Sequence, residues 1–492
     1  MNILFVAAEN APYAQVGGLS QAVSFLARAV KKQGHDVRVF MPKYGVIKTQ
    51  KFPMEVDMLA LSVPTTGRPK GKFPTRLVCN VLRRMDDKIF VPTYFLENRE
   101  YYELRANVYG YADEHIRFYL LSMGCLEWLL EQHRLGAWLP DIIHAHDWHT
   151  GYLVNALKTK HRYKAVLGHI KVLYTVHNFK HQGNFDFKYA PKPATGKGPL
   201  LPMFHPGMQM QNPMLRGLLS ADRVNTVSLT HAMEIQTSEF GEGLQEHLKK
   251  LGRRFSGIPN GVDVKTMNPA TDSHIVSRYT EKSLEKRKPN KLALQKYFKL
   301  PVDQSIPVVS YIGRLATQKG IETIFAALEH LDSFPKVQFI FLGGGDDVFR
   351  SELARLVKAH PKQIAAVLHG DFILPRKIFA GSDILLMPST FEPGGIVAME
   401  ALRYGCVPLV ADTGGLSETV QPFNPVTLTG NGFLHVRKDT WSFVVMLAAA
   451  LQLYAIPAIW KHIVKNGMAG DFSWDHTALK YNQLYTELLK SK

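Results

Sequence analysis

Apolar residues along this chain gather into short runs of strand length, each followed by a glycine-bearing turn and then by apolar positions at helical spacing. Asn2–Ala8 is such a run, followed by a turn with Pro12 and Gly17-Gly18. Leu19, Ala22, Val23, Leu26 and Val30 then recur at helical spacing up to Lys31, Lys32 and Gly34, and Val37, Val39 and Met41 alternate as a strand. The pattern predicts a βαβ unit with a diglycine at the strand-to-helix turn; it is not GxGxxG, so the usual dinucleotide fingerprint is absent. Further strand ends are read at Ile142-Ile143, from Leu173 to His177-Asn178, and over Ala221–Ser228.

A second series begins at the Ile306–Ile312 strand, with the turn GRLATQKG and a helix through Ile321 and Leu328. Val337–Leu342 ends in Gly343-Gly344-Gly345-Asp346, Ile384–Met387 leads into Pro388–Leu416, and Val407–Ala411 leads to Asp412-Thr413-Gly414-Gly415. The fold class expected is α/β, two Rossmann-like doubly wound halves, joined near the Gly257–Asp263 turn. Lys48–Thr93 is mixed and yields no element. Phe443–Trp460, interrupted by Gln452 and Pro457, is expected as a buried helix and not a membrane span. Tyr481, Leu484, Tyr485 and Leu488 mark an amphipathic C-terminal helix.

The densest chemistry lies in PSTFEPGGIVAMEALRYGCVPLVADTGGL, from Pro388 to Leu416. A strand precedes Gly394-Gly395, and Ile396, Met399 and Leu402 then predict a helix. Glycines let backbone approach a ligand, and a helix N-terminus suits an anion. Glu392 and Glu400 would repel a phosphate but would accept hydroxyls, one from a sugar and one from a ribose. Eight residues span about 12 Å if helical, which suits a nucleotide sugar. Spacing alone leaves an ordinary strand-turn-helix with a solvated glutamate equally open. Arg314 and Lys319, at the end of a parallel strand, suit a diphosphate clamp or are plain surface charge. In PDIIHAHDWH, three histidines and Asp147 sit at a strand end, where open α/β sheets bind ligands. Substrate contacts are favoured there, a hydrogen-bonded structural cluster follows closely, and a metal set is a minor reading. Alternation puts His144 and His146 on one face with Trp148. Asn98–Tyr111, rich in Tyr, Asn and Arg, suits stacking on sugar rings or packing on its own domain.

Composition narrows the class. The 492 residues suggest two to four domains, and 46% apolar with 21% charged residues is a globular, not disordered, profile. The formal charge of +17 suits an anionic ligand, nucleic acid or a membrane surface. No compact basic block with interleaved aromatics appears, and Glu281–Lys291 is expected as a solvated loop or helix. Neither nucleic acid nor membrane is therefore expected as a partner. Cys79, Cys125 and Cys406 form no CxxC pair, so neither zinc site nor disulfide framework is implied, and a cytoplasmic setting is expected. A signal peptide is not expected at the N-terminus.

These residues carry a resemblance. AENAPYAQVGGL, PDIIHAHDWHT, YTVHNFKHQG, NGVDVKTMNPATD, GRLATQKG, STFEPGG, TGGL and NGMAGDFSW, in this order and spacing, resemble the glycogen and starch synthase family of retaining glycosyltransferases. The resemblance implies the GT-B arrangement, two Rossmann-like domains facing across a cleft. It implies an acceptor-side domain over 1–260, a nucleotide-sugar domain over 261–470, and a C-terminal helix over 471–492 crossing back to the first domain. It also implies metal-free, cofactor-free transfer of glucose from ADP-glucose, less often UDP-glucose, to the 4-hydroxyl of an α-1,4-glucan. Carried onto this sequence, it places Glu392 at the donor glucose hydroxyls and Arg314 and Lys319 at the diphosphate. His177 and Asp147 fall at the reaction centre, Asn260 at the donor sugar, and Gly17-Gly18 at the distal phosphate. Glu400 falls at a ribose, with Gly394, Gly395, Thr413 and Gly414 in the turns that line the donor.

The sequence departs from the family at several points. Gln15 stands where bacterial members usually carry Lys, removing one cation from the phosphate pocket. Ser20-Gln21 replaces Gly-Asp, Gly394 replaces a common Cys, and Glu400 replaces a residue that is not Glu in many members. Gln15 and Glu400 keep open a related retaining transferase with another donor or acceptor. Glu392, Arg314, Lys319 and His177 argue against an inactive glucan-binding homologue.

Overall fold

The computed structural model describes residues 1–65, 74–84, 90–183, 212–331, 334, 336–370 and 373–491. The chain divides into two compact units. Unit 1 comprises Met1–Val227, Ala232–Ile258 and Thr477–Lys492; unit 2 comprises Ser228–His231 and Pro259–His476.

Among the described residues, unit 1 holds a nine-stranded sheet. Its strands are β1 (Asn2–Val6), β2 (Asp36–Pro42), β3 (Glu55–Pro64), β4 (Arg76–Arg84), β5 (Thr93–Glu97), β6 (Ile142–His146), β7 (Lys171–Val176), β8 (Arg223–Thr226) and β9 (Phe255–Gly257). Their order is β3-β4-β5-β2-β1-β6-β7-β8-β9. All neighbours are parallel except at the β3-β4-β5 edge. Ile3, Leu4, Phe5 and Val6 are fully buried, as expected for a central parallel strand covered on both faces. The helix Gly18–Lys32 buries Leu19, Ala22, Val23, Leu26 and Val30, the positions its spacing singled out.

The β3–β4 hairpin occupies the stretch for which the pattern yielded no element; residues 66–73 and 85–89 of that stretch lie outside the described ones. Register shifts fall between Val56 and Met58 and between Met58 and Leu61, and Ala60 has φ 53°. Such irregularities break the two-residue alternation by which a strand is recognised.

Helix Trp474–Lys490 buries Tyr481, Leu484, Tyr485 and Leu488. From Thr477 on it belongs to unit 1. The Tyr485 hydroxyl lies 2.8 Å from His144 Nδ1, and Asn225 Nδ2 donates to the Tyr481 hydroxyl at 3.0 Å.

Unit 2 holds β10 (Val308–Ile312), β11 (Gln338–Leu342), β12 (Ile364–Val367), β13 (Ile384–Met387), β14 (Val407–Ala411) and β15 (Phe433–His435). They form a parallel sheet ordered β12-β11-β10-β13-β14-β15. The helices Ile321–Leu328 and Ile396–Arg403 follow β10 and β13 where the spacing placed them.

Two expectations are corrected here. Phe443–Trp460 is not one buried helix. Helices Thr440–Tyr454 and Pro457–Ala469 meet at 111°, Pro457 opens the second, and Trp441 and Val445 are exposed. Proline is tolerated in a first helical turn and disfavours continuation of the preceding helix. No single described helix is long and apolar enough to cross a membrane; the bent pair passes by length and composition together. Nor is Glu281–Lys291 simply solvated. Lys291 Nζ is buried 2.7 Å from Asp383 Oδ2, and Arg287 donates to the Tyr404 and Phe379 carbonyls at 3.1 and 3.0 Å. Charges inside a fold are kept by such partners.

Candidate active site

In unit 2 the chemistry collects where β10 and β13 end side by side. Arg314 is exposed in the turn after β10, and the Tyr311 hydroxyl donates to its main-chain oxygen at 2.6 Å. Lys319 closes the short 3-10 turn Thr317–Lys319, and Gly320 follows with φ +66°. A Cβ on Gly320 would fall 1.9 Å from the Pro388 carbonyl oxygen, so the two turns touch along their backbones. That contact puts the Lys319 ammonium on the Glu392 carboxylate as an ion pair, with exposures of 23% and 14%. Ser389 Oγ adds a long hydrogen bond to Glu392 at 3.4 Å.

The two glycine pairs of the Pro388–Leu416 stretch lie against each other. Gly395 (φ +61°) caps helix Ile396–Arg403, and Thr413 precedes the short helix Gly414–Thr419. The Gly415 amide donates to the Glu392 and Pro393 carbonyls at 3.0 and 3.1 Å. A Cβ on Gly415 would lie 2.7 Å from the Gly394 carbonyl carbon. Part of what spacing read as a ligand-facing anion cradle is thus turned inward, holding one loop to the other. Glu400 stands on helix Ile396–Arg403; burial pushes its carboxyl up to about 7, opposed by the Arg376 guanidinium. Asn260 is buried near the start of unit 2.

In unit 1 the site is built on the ends of β6 and β7. Asp147 breaks the strand with φ 57°, and its Oδ1 accepts the His177 amide at 2.7 Å. Burial pushes the Asp147 carboxyl up to about 7, against the pull of the His177 and Asn178 amides. Burial lowers His177 to about 4. His177 Nε2 lies 3.1 Å from His146 Nδ1. His144 Nε2 lies 2.6 Å from Thr175 Oγ1, which donates to Asn225 Oδ1 at 2.5 Å. The His144 and His146 rings lie 4.1 Å apart, tilted by 32°, and burial drives both well below the ordinary histidine range. They are therefore an internal hydrogen-bonded cluster, and His177 is the member that is not fully buried. Among the described residues no three His, Cys, Asp or Glu side chains gather to hold a metal ion.

Trp148 does not share the His144–His146 face. It lies beyond the strand in the 3-10 turn Trp148–Thr150, its ring edge-on to Phe118 at 5.1 Å. Nor are Tyr101 and Tyr102 a platform for sugars, because both are buried in their own unit.

Gln15 and Gly17 lie exposed in the turn before helix Gly18–Lys32, and Gly18, also exposed, opens that helix. Glu9, which spacing did not single out, organises that turn. Its Oε2 accepts the Val16 and Gly17 amides at 2.7 and 3.0 Å, and the Tyr109 hydroxyl donates to Oε1 at 2.7 Å. One signal was available: a carboxylate directly after the apolar run that ends at Ala8 has to find partners if that strand is central.

Two largely parallel α/β sheets, each with polar turns at its strand ends, are the architecture of the GT-B glycosyltransferases, and the comparisons with known proteins place the chain in that class. The starch synthase catalytic domain family matches residues 2–250, and the glycosyl transferases group 1 family matches residues 295–461. The chain is 36% identical to the glycogen synthase of Desulforamulus reducens over 99% of both chains. It is 35% identical to that of Streptococcus agalactiae serotype Ia over 99% of this chain and 100% of the relative. The catalytic domain of starch synthase IV from Arabidopsis thaliana, solved with ADP and acarbose bound, superposes with a TM-score of 0.85 at 29% identity, covering 100% of this chain and 99% of that one. Sucrose-phosphate synthase from Thermosynechococcus elongatus shares the fold, with a TM-score of 0.60 at 20% identity and all of both chains covered. The chain belongs to the glycogen and starch synthase family, and it is a hexosyltransferase of that kind.

Proposed function

We propose that this enzyme extends an α-1,4-glucan by retaining transfer of glucose from ADP-glucose to the 4-hydroxyl of the chain end. The observation that carries the reading is the Lys319–Glu392 pair, held between two glycine turns beside Arg314. A starch synthase relative solved with ADP and acarbose supports the same donor and polymer class.

In unit 2, Arg314 and Lys319 take the diphosphate, where negative charge grows as the anomeric C–O bond breaks. Glu392, released from Lys319, accepts the glucose hydroxyls. Asn260 touches the same sugar, Gly394, Gly395, Thr413 and Gly414 line the donor through their backbone, and Glu400 accepts the ribose hydroxyls. In unit 1, Gln15, Gly17 and Gly18 meet the distal phosphate, and His177 and Asp147 line the reaction centre. The acceptor oxygen attacks on the face the diphosphate leaves. Its proton passes to the departing phosphate oxygen, so no enzyme-bound sugar forms. A trapped covalent sugar on Asp147 or Glu392 would refute this route.

The test is nucleotide release in chelator, from ADP-glucose and UDP-glucose in parallel, with and without glycogen, beside Glu392→Ala. Glycogen-dependent ADP release that the substitution abolishes is the expected result. Release from UDP-glucose alone would reassign the donor, and no release from folded protein would sink the reading.

A further inference from the structure

Between Arg314 and Lys319 lies Gln318, a residue to which neither spacing nor the proposed mechanism gives a task. It touches both sides of the unit 2 site. Its Oε1 accepts from Arg314 Nη2 at 3.3 Å, and its Nε2 donates to the Phe391 carbonyl at 3.3 Å. Its main-chain oxygen accepts the Thr390 amide at 3.0 Å and the Thr390 hydroxyl at 3.2 Å. Phe391 and Thr390 are the two residues before Glu392.

We propose that Gln318 is a positioning residue that ties the Arg314 guanidinium to the turn carrying Glu392. The chemistry of its two neighbours fixes its amide. A guanidinium only donates and a carbonyl only accepts, so the amide oxygen must face Arg314 and the amide nitrogen must face Phe391. A primary amide satisfies both at once. Glutamate would offer Phe391 no donor and would hold Arg314 as an ion pair in competition with a ligand anion. Arg314 is exposed, and a long side chain is costly to order when a ligand arrives. Holding it in advance, in register with the neighbouring turn, is how a supporting residue improves a site it does not enter. The main-chain bonds to Thr390 do not depend on the side chain, so the turns stay joined when the amide is replaced.

The inference rests on the donor reading above, and its test separates the two. Gln318→Leu and Gln318→Glu are compared with wild type for ADP affinity by calorimetry and for ADP-glucose turnover on glycogen. Gln318→Leu is expected to lower kcat/KM for the donor about tenfold, with the glycogen KM unchanged, since it removes positioning and no binding surface for the acceptor. Placed in an Arg314→Ala background, the same change is expected to cost less than about threefold, because its route of action is already gone. Gln318→Glu is expected to weaken ADP binding about tenfold and serves alone if the leucine variant does not fold. Wild-type kinetics and ADP affinity in both variants would overturn the inference, as would full additivity with Arg314→Ala. A wild-type enzyme that neither binds ADP nor uses ADP-glucose would overturn the donor reading and, with it, this inference.

Discussion

The two units carry candidate chemistry on similar strand-end turns and treat it in opposite ways. In unit 1, Asp147 is buried and His177 half-buried. Burial moves the carboxyl up to about 7 and the imidazole down to about 4, so both are driven toward their uncharged forms. In unit 2, Lys319 and Glu392 stay partly in solvent and answer each other as an ion pair. Burial thus sorts residues of similar chemistry into neutral hydrogen-bonding groups on one unit and paired charges on the other. In the proposed transfer the cations of unit 2 would face the leaving diphosphate, and the neutral groups of unit 1 would suit the low-dielectric surroundings of a reacting carbon.

The largest effect is expected where charge is removed. Lys319→Ala leaves Glu392 without its ammonium and, on the proposed reading, takes a cation from the leaving group. The expected loss is about 100- to 1,000-fold in kcat/KM for the donor, read by nucleotide release. A loss below about tenfold would break the comparison, since unit 2 would then act through its backbone turns and not its charges.

What could be read from sequence, and what could not, has a physical answer. Lys319 sits beside Gly320, whose backbone contact with Pro388 demands glycine, so motif and geometry coincide there. The strands were legible because buried parallel strands are uninterrupted apolar runs. Glu9 was missed because its partners, Val16, Gly17 and Tyr109, are brought together by the fold and by no spacing. The same holds for Lys291 with Asp383, distant in sequence and adjacent in space. The β3–β4 hairpin hid behind its register shifts, and Trp148 left its expected face because Asp147 turned the backbone first.

A middle-sized effect tests the neutral half. A carboxyl whose folded pKa is raised favours the fold at low pH. For Asp147 that stability is fully present below the ordinary carboxylate range and is lost as pH rises through about 7. His177 runs the other way: its folded value is lowered to about 4, so its contribution is present above the ordinary histidine pKa and is lost as pH falls. Asp147→Asn cannot ionise. Its melting temperature relative to wild type is expected to rise by about 5–10 °C between pH 5 and pH 8, equivalent to about 2.5 kcal/mol over the two pH units in which only the folded carboxyl stays protonated. Parallel curves across that range would mean that Asp147 is not held toward neutrality, and the contrast between the units would fail.

The smallest effect on stability is expected at Gly17, and it is informative for that reason. Gly320 and Gly415 have backbone neighbours that forbid a side chain; a Cβ on Gly415 would press on the Gly394 backbone. Gly17 differs, since a Cβ there meets nothing within 4 Å and its φ of −135° suits any residue. Nothing within the folded chain therefore demands glycine at this exposed turn, and Gly17→Ala is expected to change stability by no more than about 0.5 kcal/mol. If the distal phosphate of the donor approaches this backbone, the added methyl occupies the space it uses. The donor KM is then expected to rise about three- to tenfold while the melting temperature and the glycogen KM stay put. An unchanged donor KM would place the phosphate elsewhere and leave donor recognition to unit 2 alone. A fall in melting temperature would show instead that the turn serves the fold, through the Glu9 carboxylate that already holds the Gly17 amide.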